Sequence, residues 1–201
     1  MKTSVISKEF RDRYLSNPRH PNVFNGKAVV FEGPEDYHKR LNSRKLNIDE
    51  NSVLIVRGCG PVGYPGSAEV INMQPPDRLL KKGINTLPTL GDGRQSGTSA
   101  SPSILHVSPE SAVGGDLGIV KTGDRIKIDL NKRRVDLLIS QAEFKNRRKK
   151  RKKFKINNQT PWQEIFRDTV GQLEDGACIK SRGIYLKAVS YTHLRAHETR
   201  F

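Results

Sequence analysis

The chain has 201 residues, with 36 Lys and Arg against 21 Asp and Glu, and so a formal net charge of +15. Hydrophobic residues make up 34% and mean hydropathy is −0.64, polar for a globular chain yet too rich in apolar residues for disorder throughout. The absence of any run of 18 apolar residues excludes a membrane-spanning helix, and two cysteines, Cys59 and Cys178, exclude a disulfide framework or a four-thiolate metal site.

The first stretch, Met1 to Asn25, mixes charges with Pro18 and Pro21 and reads as a connector with one helical turn. No apolar stretch follows its charges, so a cleaved secretory signal is not expected, and with so few cysteines a reducing, cytoplasmic setting is the default. Lys27 to Phe31 (KAVVF) and Ser52 to Val56 (SVLIV) predict buried strands, with a short helix over Glu35 to Leu41 between them, Pro34 at its first turn. Gly58, Gly60, Pro61, Gly63, Pro65 and Gly66 then mark a loop whose backbone turns sharply or approaches something closely.

Ser67 to Leu80 has helical spacing interrupted by Pro75-Pro76. Thr86 to Leu90 predicts a third strand that runs into GDGRQSGTS, and Ser101 to His106 predicts the opening of a helix. Three strands follow: Leu117 to Lys121, Arg125 to Leu130 and Arg133 to Leu138, with turns at Thr122-Gly123-Asp124 and Asn131-Lys132. SQAE at Ser140 to Glu143 is a capping box, and its helix runs into Arg147 to Lys155, where eight of nine residues are basic. Such a run reads first as a solvated helix end or loop, second as a nucleic-acid grip. Trp162 in QTPWQEIF reads as an aromatic anchor docked by an amphipathic segment. Six or so short strands with few helices predict an α/β mixture, a small β-barrel or sandwich with helices packed outside.

Two constellations could carry chemistry. In GDGRQSGTS, Ser96 lies between Gly93 and Gly97 just past a strand. Glycines there expose a hydroxyl and backbone N–H groups that favour an anion, and a serine needs such help to act as base or nucleophile. Arg94 stands where a nucleophile elbow requires Gly, and no Lys-Ser/Thr follows as in a phosphate-binding loop, so a plain turn whose Ser and Thr cap a helix stays open. In CGPVGYPGSAE, Glu69 follows a glycine-rich loop, where it would either complement a helix dipole or ligate a hard cation such as magnesium. Cys59, between Gly58 and Gly60, reads first as a small buried residue and second as a reactive thiol. His193 and His197 are four apart, but they lie in the tail SYTHLRAHETRF, which resembles translated sequencing adapter and carries no functional weight.

FEGPEDY (31–37), RGCGPVGYPGSAE (57–69), NMQPP (72–76), GDGRQSGTS (91–99), SPESAVGG (108–115), TGDRI (122–126) and IDLN (128–131) together resemble the C-terminal part of the dihydroxy-acid and sugar-acid dehydratases, over roughly residues 4 to 188. The forms VGYPGSAE and GRQSGTS resemble the sugar-acid (aldonate) branch. Branched-chain dihydroxy-acid dehydratases tend instead to carry a GGPG loop and GRFSGG.

The resemblance implies a swivelling β-barrel-like domain with flanking helices over 26–188, a connector from an N-terminal domain over 1–25 and a non-native tail over 189–201. It also implies dehydration of a sugar acid to a 2-keto-3-deoxy acid by an iron–sulfur cluster and magnesium, with Ser96 as the base, Thr98 as its support and Glu69 as a magnesium ligand. Asp92 and Arg94 would hold the loop. The cluster cysteines belong to the N-terminal domain, which this chain lacks, so the chain alone is expected to be inactive. A small-molecule sugar acid and, at full length, a homo-oligomer are the implied partners, with no membrane and no nucleic acid. A branched-chain dihydroxy-acid dehydratase fragment, a catalytically silent interaction module and a basic nucleic-acid-binding module remain the alternatives, and arabonate, xylonate, galactonate and gluconate are not distinguished.

Overall fold

A computed structural model describes residues 6–65, 72–94, 103–157 and 159–180. Near the start, Ser7 caps a single helical turn, α1 (Lys8–Phe10), its Oγ accepting from the Phe10 N–H at 3.1 Å, and a wider π-type turn continues over Arg11–Leu15. This stretch is more than a connector: Ile6, Phe10 and Leu15 are buried, and Phe10 and Tyr14 pack on Phe24. The strands are β1 (Val23–Glu32), β2 (Ser52–Arg57), β3 (Thr89–Gly91), β4 (Ser103–Ile104), β5 (Arg125–Asp129) and β6 (Arg134–Leu137). Four further helices are α2 (Pro34–Arg40), α3 (Asp77–Leu80), α4 (Gln141–Lys149) and α5 (Pro161–Thr169).

The six strands form one mixed sheet in the order β4-β3-β2-β1-β5-β6. β1 to β4 run parallel, while β5 and β6 are added antiparallel on the other side of β1. Because side chains alternate across a strand, β1 and β2 feed two cores. Ala28, Val30, Val53 and Ile55 face one with Phe10, Leu117 and Ile126; Val29, Phe31, Leu54 and Val56 face the other with Tyr37, Leu79 and Leu87. Each such buried aliphatic or aromatic side chain contributes about 1.5–3 kcal/mol. Sheet curvature brings Ile104 of β4 and Leu137 of β6 to the same apolar cleft, so the mixed α/β fold takes the form of a half-barrel.

The sequence-based elements need three corrections. Residues 117–121 are no strand: Asp116–Ile119 form a 3-10 turn started at Gly115, whose Cα lies too close to Pro109 for any side chain. Ser103–Ile104 is a two-residue strand where a helix was expected, fixed by pairing with Thr89–Leu90 and by a 2.8 Å Thr89–Ser103 hydroxyl hydrogen bond. Trp162 is 78% exposed rather than docked. Ser140 caps the helix as predicted, its Oγ accepting from the Glu143 N–H at 3.2 Å, while the Glu143 carboxylate accepts from Arg147 at 2.6 Å.

Candidate functional site

In an open parallel sheet, the crevice outside the carboxyl ends of the strands is where binding loops collect. β2 and β3 pair in parallel register, Val56 beside Gly91, so the glycine-rich segment beginning at Gly58 and the segment beginning at Asp92 leave the same edge from neighbouring strands. Ser96, Thr98 and Glu69 themselves lie outside the described residues. What the structure describes is the frame from which their segments depart, Gly58–Pro65 on one side and Asp92–Arg94 on the other.

Two carboxylates, both 0% exposed, build that frame. Asp92 Oδ1 accepts from the Cys59 N–H at 2.9 Å; Oδ2 accepts from the N–H groups of Gly58 at 3.0 Å and Ser111 at 2.9 Å, and from the Ser111 hydroxyl at 2.5 Å. One side chain thus ties the β3 loop, the β2 loop and the 3-10 turn Ser111–Val113. Glu110 accepts from the Val62 N–H at 2.9 Å, from the Gly63 N–H at 2.8 Å and from Gln172 Nε2 at 2.9 Å. Gln172 completes a reciprocal pair by accepting the Glu110 N–H at 3.0 Å. Arg167 of α5 donates Nε to the Val62 carbonyl at 2.8 Å. Buried anions are tolerated where N–H donors surround them, and here those donors belong to the loops being positioned.

The glycines are required by these approaches. A Cβ at Gly93 would stand 2.5 Å from the Cys59 carbonyl oxygen, and one at Gly63 would stand 2.6 Å from the Gly58 carbonyl. A Cβ at Gly60 would overlap the Glu110 carboxylate. Cys59 is buried in this frame, and burial together with the charges of Asp92, Glu35 and Glu110 pushes its thiol far above the ordinary range. It is therefore an inert packing residue.

A cleft of about 480 Å³ opens in front of the frame, lined by Cys59, Gly60, Tyr64, Arg94, His106 and Phe166 among others. The Tyr64 hydroxyl donates to Glu35 Oε1 at 3.0 Å, which raises its pKa. His106, in left-handed backbone at φ +55°, donates its N–H to the Gly93 carbonyl at 3.2 Å. Partial burial, followed by the nearby Arg94 guanidinium, lowers its imidazole pKa, so at neutral pH the cleft holds a fixed cation beside a neutral imidazole. Asp92 holds the loop as the sequence suggested. Glu110 was visible only as part of SPE, and Gln172 and Arg167 gave no signal, because their partners lie far away along the chain.

The described residues do not fit an iron–sulfur cluster. Among them no three His, Cys, Asp or Glu side chains are arranged to hold a metal ion, Cys178 is exposed, and Cys59 is held as a thiol. Among them also, no helix is long and apolar enough to cross a membrane.

Residues 11–177 match the family described as dihydroxy-acid/6-phosphogluconate dehydratase, C-terminal. The chain is 55% identical over 196 residues to a D-xylonate dehydratase of Caulobacter vibrioides, covering 98% of this chain and 32% of that protein. It is 48% identical over 128 residues to an L-arabinonate dehydratase of Rhizobium leguminosarum, covering 64% of this chain and 22% of that protein. A dihydroxy-acid dehydratase of Saccharolobus solfataricus is 39% identical over 127 residues, covering 63% and 22%. The chain therefore spans about a third of the D-xylonate dehydratase and about a fifth of the L-arabinonate dehydratase, and it belongs to the dihydroxy-acid/6-phosphogluconate dehydratase C-terminal family.

Proposed function

We propose that this chain is the carboxyl-terminal portion of a sugar-acid dehydratase that converts an aldonate to a 2-keto-3-deoxy acid. The observation that supports the reading is that the chain leading into VGYPGSAE and the chain leading into GRQSGTS leave neighbouring parallel strands and are tied at their starts by Asp92, which accepts from the Gly58 and Cys59 N–H groups. The names of the D-xylonate and L-arabinonate relatives support the substrate class.

In this reading Ser96, ionised, removes the proton from C2 of the acid as the C3 hydroxyl departs. The resulting enol then takes up a proton at C3 to give the ketone. The glycines on either side of Ser96 in the sequence GRQSG would let backbone N–H groups approach its oxygen, and such donors favour an alkoxide as they would any anion. Thr98 supports the serine, and Glu69 offers a carboxylate to a hard cation. The iron–sulfur cluster and magnesium implied by the resemblance would depend on ligands outside the described residues. Completing the site requires the rest of the polypeptide that the relatives carry.

The test is to express this segment joined to such an amino-terminal portion and to assay 2-keto acid formation from D-xylonate and L-arabinonate. Ser96→Ala should lower kcat by about a thousandfold or more, with the protein still folded. Undiminished turnover would remove Ser96 as the base.

A further inference from the structure

We infer that the cleft beneath residues 147–155 is a binding site for a compact, multiply charged phosphate anion of the polyphosphate class. The cleft measures about 590 Å³, and eight Lys and Arg side chains line it against two carboxylates, Glu32 and Glu143. The basic segment is no free tail. Arg147, half-buried, pairs with Asp124 at 2.5 Å and with Glu143 at 2.6 Å. Arg148 pairs with Asp116 at 2.7 Å, and Arg151 donates to the Gly114 carbonyl. The Phe154 ring lies over Gly58, 2.8 Å from where a Cβ would stand.

These staples use the arginines and leave the lysines. Arg57, the remaining arginine of the lining, pairs with Glu32 and donates to the carbonyls of Leu117, Gly118 and Val120. Both carboxylates of the cleft are therefore already neutralised. Lys121, Lys150, Lys152, Lys153 and Lys155 line the same space, and among the described residues none of their ammonium groups has a side-chain partner. These five lysines are exposed, but the arginine staples hold the segment that carries four of them over one cleft, so their like charges repel one another and the cleft focuses their field. The species that relieves this repulsion is an anion of several charges, and lysine ammonium groups suit phosphate as point charges. A nucleic-acid strand is disfavoured because the lining has a single aromatic, Phe154, which lies against Gly58, where strand binding draws on a succession of stacking rings.

The inference does not depend on the dehydratase reading and is tested on the 201-residue chain by calorimetric titration with inorganic pyrophosphate. One-to-one binding is expected, weakening as salt rises from about 50 to about 200 mM. The variant Lys150→Gln/Lys152→Gln/Lys153→Gln/Lys155→Gln should bind about tenfold or more weakly. A charge-matched control away from the cleft, Lys8→Gln/Lys45→Gln/Lys81→Gln/Lys82→Gln, should bind like the parent. All eight lysines are exposed or at the surface of short turns, and denaturation midpoints verify that both variants fold. Absence of pyrophosphate binding overturns the inference. So does equal loss in the two variants, which would mark diffuse surface charge, and so does tighter binding of a single-stranded oligonucleotide over a site longer than the cleft.

Discussion

Replacing Asp92 with asparagine keeps the shape of the side chain and removes its charge. In the parent, both oxygens accept and every neighbour donates: Gly58, Cys59 and Ser111 through their N–H groups, Ser111 also through its hydroxyl. Whichever way the amide is turned, its NH2 group meets a donor. One buried N–H at least is left unsatisfied, at about 1–3 kcal/mol, and the remaining hydrogen bonds lose their ionic character at a further fraction of a kcal/mol each. The expected loss is about 3–5 kcal/mol, a large share of the 5–15 kcal/mol that stabilises a typical domain. Urea denaturation of the parent and the variant reads this directly. A second readout is local: Cys59, 3% exposed beneath the clamp, should become reactive towards a thiol reagent when the loops part. A loss under about 1 kcal/mol with Cys59 still protected would show that the carboxylate does not hold the two loops together.

Three further outcomes follow from the same packing. Gly93→Ala should destabilise the chain by about 1–3 kcal/mol, because its Cβ meets the Cys59 carbonyl and not a yielding side chain; a neutral result in denaturation would contradict the close approach. Arg147→Met should cost about 3 kcal/mol by leaving Asp124, 10% exposed, without its cation, and Asp124→Asn on top should restore part of it in a double-mutant cycle; additive losses would refute the pairing. The hydrogen bond from Arg40, opposed by burial and aided by the Glu32 N–H, holds the Asp36 carboxyl below its ordinary range. Its contribution, about 0.5–1 kcal/mol after solvent screening, is present above the ordinary carboxylate pKa of about 4 and fades as pH falls through the lowered value. The stability gap between the parent and Asp36→Asn should therefore be open at pH 7 and close on acidification; a gap independent of pH would refute it.

The parts of the fold written locally were legible in the sequence. VLIV (53–56) and AVVF (28–31) are buried because each supplies both faces of a sheet flanked by two cores, and a run of consecutive apolar residues signals that. Ser140 and Glu143 mark a helix start three residues apart. The glycines of 58–63 signalled close approach, and the structure gives the approaching atoms. The rest depends on partners remote in sequence. Two residues make β4 only because Thr89 and Leu90 stand beside them. Leu117 and Ile119 are apolar enough for a strand, yet the close approach at Gly115 leads them into a 3-10 turn that still buries both. Glu110 acquires its role from Val62, Gly63 and Gln172, which no local pattern connects. The arginines within the lysine-rich run read as solvated charge until Asp116, Asp124 and the Gly114 carbonyl are placed opposite them.

The roles proposed for Ser96 and Glu69 in one reaction require their side chains to converge, which a distance tests most directly. Spin labels placed by Glu69→Cys and Ser96→Cys in a Cys178→Ser background, with buried Cys59 left in place, report it by pulsed electron–electron resonance. Segments leaving adjacent strands about 4.8 Å apart should give a single distribution centred below about 20 Å. A distribution centred near about 30 Å, the diameter of a small domain, would place the two side chains on opposite faces and contradict the assignment.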